Sequence, residues 1–311
     1  MRRFKKILKW TALVLLVLTS AITLTVTARQ NLKYDAPYPD IKASTDSFVI
    51  ARGKHLIYSS AHCINCHSRN NPDSIISLGQ DVTLSGGVLF DLPVGKVYSK
   101  NITPDKETGI GKYSDAEIAR TLRYGVHPDG RAVLDFMPFH NTSDEDLTAI
   151  ISYLRSQKPV RNRVPDNTTN LLGKFVQAFL LKPTGPNGIV LKSIPRDTTA
   201  AYGGYLTSSV ANCRGCHTKR DMATGAFIGE DYSGGMEIEG VVSPNLTPDS
   251  TGILLNVSKE QFIARFRMGK LIPKSPMPWN SFKRMTDDEL TSIYNYLKTL
   301  QPKKKGQLLN N

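Results

Sequence analysis

The chain has 311 residues, 40% of them hydrophobic and 22% charged, with 18 prolines and 23 glycines. That balance excludes a disordered, collagen-like or polytopic membrane protein and leaves room for two domains. The formal charge of +13 would ordinarily raise nucleic acid as a partner, but Arg2, Arg3, Lys5, Lys6 and Lys9 supply +5 and Lys298, Lys303, Lys304 and Lys305 another +4, so the body carries only +4. With no helix-turn-helix and no RNA-binding aromatic signature in addition, no nucleic-acid partner is expected.

Residues 1–30 read as a membrane segment. From Trp10 to Ala28 there are 19 consecutive uncharged residues, roughly 28 Å as a helix, close to the ~30 Å of a bilayer core. The five basic residues before this run hold the N-terminus in the cytoplasm and send everything after Arg29 to the other side. The alternative is a cleaved secretory signal ending at Val26-Thr27-Ala28. The apolar stretch is longer than the usual signal core, which favours a retained single-pass anchor.

After the anchor the chain repeats itself. Cys63-Ile64-Asn65-Cys66-His67 returns as Cys213-Arg214-Gly215-Cys216-His217, 150 residues later. Gly53, Leu56 and Ser59 match Gly203, Leu206 and Ser209 at that offset. Ser85-Gly86-Gly87 matches Ser233-Gly234-Gly235, Asn101-Ile102-Thr103-Pro104-Asp105 matches Asn245-Leu246-Thr247-Pro248-Asp249, and Thr108-Gly109-Ile110 matches Thr251-Gly252-Ile253, the offset shrinking from 148 to 143 as loops shorten.

The helical signals repeat as well. Ser114 to Glu117 and Ser258 to Gln261 are capping boxes, followed by the apolar pairs Ile118/Leu122 and Phe262/Phe266 and by exits at Gly125 and Gly269. A last helix in each half opens at Ser143 or Thr286 and carries the stripe Leu147, Ile150, Ile151, Leu154 or Leu290, Ile293, Tyr294, Leu297, stepping i, i+3, i+4, i+7. The expected fold is mainly α with long loops and no convincing strands, in two tandem domains at 45–160 and 198–303. A proline-rich linker, 161–197, joins them, and 304–311 form a basic and polar tail. Within the linker, Leu171, Leu172, Phe175, Val176, Phe179 and Leu180 suggest a short apolar helix; of packing against one or both domains and a second membrane contact, packing is expected, because the segment is too short to span a membrane.

Four cysteines in an exported chain could form disulfides, a four-sulfur zinc site or thioredoxin-like centres. None of these needs a histidine directly after the second cysteine of both pairs. Two thiols three positions apart can reach the two vinyl groups of a haem and leave the adjacent imidazole beneath the iron, so Cys63, Cys66 and His67, with Cys213, Cys216 and His217, predict two covalently bound haem c groups.

For the opposite ligand a count decides. Of six histidines only His217 lies after residue 140, so methionine must serve the second iron. Among Met222, Met236, Met268, Met277 and Met285, only Met277, in Met277-Pro278-Trp279, aligns with a methionine of the first half, Met137 in Met137-Pro138-Phe139. The following proline biases each methionine to an extended backbone. Met137 and Met277 are therefore the expected sixth ligands, with His127 and His140 as alternatives to Met137 that lack counterparts. His55 and His62 read as surface or loop residues, and the Asn101 and Asn245 segments as turns that could also bond near a haem edge.

These residues, with the Arg52-Gly53 lead-in, Gly111 and Gly130-Arg131, resemble class I cytochrome c domains, and most closely the multi-haem cytochrome subunits of membrane-bound bacterial alcohol and gluconate dehydrogenases. Those subunits typically carry three haem domains and a C-terminal anchor, where this chain has two motifs and an N-terminal apolar run. The resemblance implies a helical domain around each haem, His and Met axial ligation, and electron transfer on the periplasmic side of the bacterial inner membrane. An iron closed on both faces has no position for a substrate, so no catalytic residue is expected. The expected role is a di-haem carrier between a redox donor, such as a dehydrogenase catalytic subunit, and a respiratory acceptor. The alternative is a di-haem peroxidase, which needs one iron open or able to lose its ligand; two matching Met-Pro loops argue against it.

Overall fold

The computed structural model describes residues 2–134, 137, 139–221 and 225–309. Helix α1 (Arg2–Arg29) has a mean hydropathy of 2.1 over its most apolar stretch and buries none of it, so it is long and apolar enough to cross a membrane. Thr19, Thr23, Thr25 and Thr27 return their hydroxyls to carbonyls one turn back, which keeps these polar groups satisfied on an otherwise apolar surface.

In the first half, α2 (Ser47–Tyr58) leads to the five-residue α3 (Cys63–His67), α4 (Pro72–Ser77), the hairpin β1 (Leu89–Leu92) and β2 (Gly95–Tyr98), α5 (Asp115–Tyr124) and α6 (Asp144–Ser156). The connecting segment holds β3 (Thr168–Thr169) and α7 (Leu171–Phe179). The second half runs α8 (Ala200–Ser208), α9 (Cys213–His217), β4 (Glu237–Ile238), β5 (Val241–Val242), α10 (Lys259–Arg267), α11 (Trp279–Phe282) and α12 (Asp287–Thr299).

The strands correct the expectation of none. They form an antiparallel sheet β1-β2-β3 and a two-stranded β4-β5 ribbon. At two to four residues each, they are too short to show alternation in the sequence.

The predicted helix signals hold. Ser114/Glu117, Ser258/Gln261 and Thr286/Glu289 form reciprocal capping boxes, and the Ser143 hydroxyl accepts from the Asp146 amide. The stripes of α6 and α12 point into the core: Leu147, Ile150, Ile151 and Leu154 are at most 4% exposed, as are Leu290, Ile293 and Leu297. Tyr294, half-buried, donates its hydroxyl to the Val257 carbonyl.

In each half the first helix crosses the last one at a glycine. A Cβ on Gly53 would lie 1.9 Å from the Ala149 carbonyl oxygen of α6, and one on Gly203 1.9 Å from that of Ser292 in α12. Only a residue without a side chain allows that approach. Gly53→Ala or Gly203→Ala is therefore expected to destabilise the protein by at least about 1–3 kcal/mol, read from the midpoint of a denaturant titration. An unchanged midpoint would mean that the helices do not cross there.

The halves share one continuous core, with α2 residues Leu56 and Ile57 in the same buried cluster as α8 residues Tyr202, Tyr205 and Leu206. At the junction of the halves, beside this core, lies Arg52. Its Nε is 2.9 Å from Asp146 Oδ1, its Nη1 is 3.0 Å from Glu289 Oε1, and its Nη2 donates to the Tyr202 hydroxyl at 3.1 Å. Tyr205 donates to Asp146 Oδ2 at 2.8 Å, and His55 Nε2 sits 2.8 Å from Glu289 Oε2. Since an ionised carboxylate only accepts, Nε2 carries the His55 proton. His55 is thus a junction residue rather than a surface one.

A second contact joins α4 to α11 and the turn after it. Asp73 accepts from Asn280 Nδ2 and pairs with Arg284. Beside it, Ser281 donates to Asn65 Oδ1 at 3.0 Å, and the His62 ring stands edge-on to Phe282 at 5.6 Å. His62 is therefore packed between the halves rather than free in a loop.

Candidate functional site

Both Cys-x-x-Cys-His segments form a single helical turn entered from a left-handed residue, His62 at φ 41° and Asn212 at φ 44°. The turn brings the two cysteines and the histidine of each motif to one cavity of about 2340 Å³, which is lined by both motifs. That is more than twice the ~300–1,000 Å³ usual for one ligand. Met137 and Met277 line the same cavity. In each half the residue two after the methionine returns its amide to the methionine carbonyl, Phe139 at 2.9 Å and Trp279 at 2.8 Å. Pro278, at φ −77° and ψ 57°, makes this an inverse γ-turn; Pro138 lies outside the described residues.

The other methionines divide cleanly. Met285 is 2% exposed in the core, Met236 is buried beside the β4-β5 ribbon, Met268 faces solvent, and none of the three lines the cavity. Met222 lies outside the described residues. Of the alternatives to Met137, His127 lines the cavity, while His140 does not and holds its Nδ1 3.1 Å from the Arg123 carbonyl oxygen.

The imidazoles are oriented by backbone. His67 Nδ1 lies 2.7 Å from the Lys100 carbonyl oxygen and His217 Nδ1 lies 3.0 Å from that of Pro244. A carbonyl can only accept, so each Nδ1 carries a proton and each Nε2 keeps its lone pair for a metal. Burial pushes both imidazoles below their ordinary range, and the carbonyl contact only partly opposes it. Sequence reasoning missed these two carbonyls. They stand one residue before Asn101 and Asn245, and the repeated Asn-x-Thr motif was the available signal.

Asn101 accepts from the Thr103 amide and hydroxyl and donates to Thr108 Oγ1 and the Val160 carbonyl. Asn245 does the same with Thr247, Thr251 and the Lys303 carbonyl. The motif is turn chemistry that staples the loop presenting the histidine's acceptor.

The thiols sit in the opposite regime from nucleophilic cysteines. Burial, helped by the neighbouring cysteine, pushes Cys63 and Cys213 up to about 12, and burial also raises Cys66 and Cys216. Reactive sulfurs need electropositive surroundings that stabilise thiolate. Among the described residues no three His, Cys, Asp or Glu side chains converge on a metal position, so the four sulfurs do not gather as one site. Neutral thiols paired in an apolar cleft, an imidazole with its lone pair free and a thioether on the same cavity fit a covalently held porphyrin iron.

Residues 205–301 match the family model for cytochrome c. The chain is 30% identical over 287 residues to the alcohol dehydrogenase (quinone) cytochrome c subunit of Gluconobacter oxydans, covering 85% of this chain and 57% of that protein. It is 29% identical to the gluconate 2-dehydrogenase cytochrome c subunit of Pantoea cypripedii, covering 83% and 61%. To a dihaem c-type cytochrome of Cereibacter sphaeroides it is 27% identical, covering 64% and 67%. The chain thus spans little more than half the length of these two dehydrogenase subunits. With both Cys-x-x-Cys-His turns lining one apolar cavity and a cytochrome c match over the second of them, the chain belongs to the cytochrome c family, whose members bind haem c covalently.

Proposed function

We propose that this chain is a membrane-tethered di-haem c-type cytochrome that carries electrons between a dehydrogenase partner and a respiratory acceptor. The observation that carries the reading is the cavity shared by both Cys-x-x-Cys-His turns and both methionine loops. Cys63 and Cys66 would hold one haem and Cys213 and Cys216 the other through thioether bonds, with His67 and Met137, and His217 and Met277, as the axial donors. A haem so held supplies reversible one-electron exchange at an iron whose potential is raised by the thioether and the apolar wall.

The protein's own work is positional. Lys100 and Pro244 fix the imidazoles, the loops at Met137 and Met277 present the sulfurs, and the core lies behind them. The junction through Arg52 holds the two halves together. Domains at 45–160 and 198–303, one per haem, follow from the same assignment.

The names of the relatives support a dehydrogenase as donor, and nothing in the cavity or among these relatives supports the di-haem peroxidase alternative. Arg2, Arg3, Lys5, Lys6 and Lys9 before the apolar stretch of α1 support a single pass through the inner membrane with the haem domains in the periplasm.

Cys216→Ser is expected to weaken attachment of one haem and leave the other, halving the pyridine haemochrome per polypeptide. Loss of both would show that the halves do not mature independently, and no loss would remove Cys216 from the site. A redox titration followed optically on the membrane fraction tests the whole assignment: two c-type components support it. A dehydrogenase that co-purifies and reduces both identifies the donor.

A further inference from the structure

We propose that α7 lies flat in the surface of the bilayer and forms a second membrane contact beside α1, a reading that rests on α1 being the anchor. The side chains α7 exposes are apolar: Leu171 is 84% exposed, Leu172 53% and Phe175 45%, with Phe179 and Leu180 beside them. Its inward residues are the small ones. Gly173 approaches so closely that a Cβ would lie 2.1 Å from the Val94 carbonyl oxygen, and Ala178 is buried. This reverses the pattern of a helix on a water-facing surface, and the glycine contact prevents the helix from rolling its apolar face inward. The linker helix therefore packs on the first half, as expected, but with its hydrophobic side outward.

The position of α7 identifies what covers that side. Arg29, the first charge after the apolar run of α1, donates Nε to the Ala178 carbonyl at 3.1 Å and stacks its guanidinium 5.6 Å from the centre of the Phe179 ring. Just beyond, Tyr34 donates to the Leu181 carbonyl at 3.0 Å. A charge ending a membrane span marks the headgroup level, so the C-terminal end of α7 stands at that level. Nine residues make a helix of roughly 14 Å, less than half of a ~30 Å bilayer core, so α7 cannot cross and must lie in the plane. Exposed Lys33 and Lys182 flank it and suit anionic headgroups.

The arrangement has a functional consequence. Leu32 and Tyr34 after the anchor, and Gln177 and Leu181 at the end of α7, line the haem cavity. Two-point attachment would hold the first-half rim of that cavity against the membrane, where a membrane-held acceptor can reach it.

The test uses the full-length holoprotein in vesicles of phosphatidylethanolamine and phosphatidylglycerol carrying a diazirine phospholipid, with labelled peptides mapped after photolysis. Label in both 7–28 and 171–180 supports the proposal. In Leu172→Glu/Phe175→Glu, whose side chains face outward, the 171–180 label should fall about fivefold or more, with α1 label and haem absorbance unchanged. Label confined to α1 overturns the proposal and leaves the anchor standing. Label in 171–180 without α1 supports the α7 contact and overturns the anchor. Label in neither overturns both.

Discussion

Met277→Ala is expected to leave the second haem covalently attached, to lower its midpoint potential by on the order of 100 mV within the roughly 0.8 V that axial ligands span, and to let carbon monoxide bind in the reduced state. On the proposed assignment attachment survives because it rests on Cys213 and Cys216, while the thioether contributes only to the sixth position. The potential falls because a soft sulfur donor favours the reduced iron. Met285→Ala is the discriminating control. Met285 is 2% exposed in the core and away from the cavity, so its truncation should destabilise the fold by about 2–5 kcal/mol without changing the potential or admitting carbon monoxide. Unchanged potentials and no carbon monoxide band in Met277→Ala would remove that residue from the site.

Arg52→Ala should produce the largest loss of stability of any single junction change, roughly 3–5 kcal/mol. The side chains of Asp146 and Glu289 are 4% and 3% exposed, and the variant leaves their charges facing each other without the guanidinium between them. At about 2–4 °C per kcal/mol for a chain of this size, the thermal midpoint should drop by about 6–20 °C. Arg52→Lys should recover only part of it, since a point charge cannot bridge two carboxylates and Tyr202 together. A thermal melt of the holoprotein reads both, and an Arg52→Ala melt equal to the wild type would remove the ion pair from the stability of the fold.

The same junction gives the protein an acid limit. Burial alone would raise the Glu289 carboxyl, but the His55 hydrogen bond and the charges of His55 and Arg52 outweigh it and hold the group at about 2, below its ordinary 4.5. A depressed folded value means stability that is fully present above about 4.5 and is lost progressively as the pH falls toward 2. Glu289→Gln should flatten the stability profile across that window, measured by denaturant titration from pH 5 downward.

Most of the chemistry was legible because it is carried by local patterns. Cys-x-x-Cys-His places two thiols and an imidazole within five residues, the capping boxes mark helix starts within four, and the stripes of α6 and α12 encode their own buried faces. The repeat made these patterns readable, since Met277 could be separated from Met236, Met268 and Met285 only by comparison with Met137. His55 and His62 were misread because their partners, Glu289 and Phe282, lie more than two hundred residues away in the chain. The short strands were missed for lack of length, and the Lys100 and Pro244 carbonyls because a backbone acceptor has no residue type to announce it.

By itself, then, the sequence determined the Cys-x-x-Cys-His turns, the apolar span of α1 and the inward faces of the last helices, all of which depend on spacing within one or two helical turns. Only the tertiary structure decided that both motifs open into one cavity, that Arg52 binds an acid from each half, and that α7 turns its leucines and phenylalanines outward. These depend on which surfaces meet across long stretches of chain. For α7 the surfaces met by Gly173 and Arg29 are the backbone carbonyls of Val94 and Ala178, atoms that every residue shares.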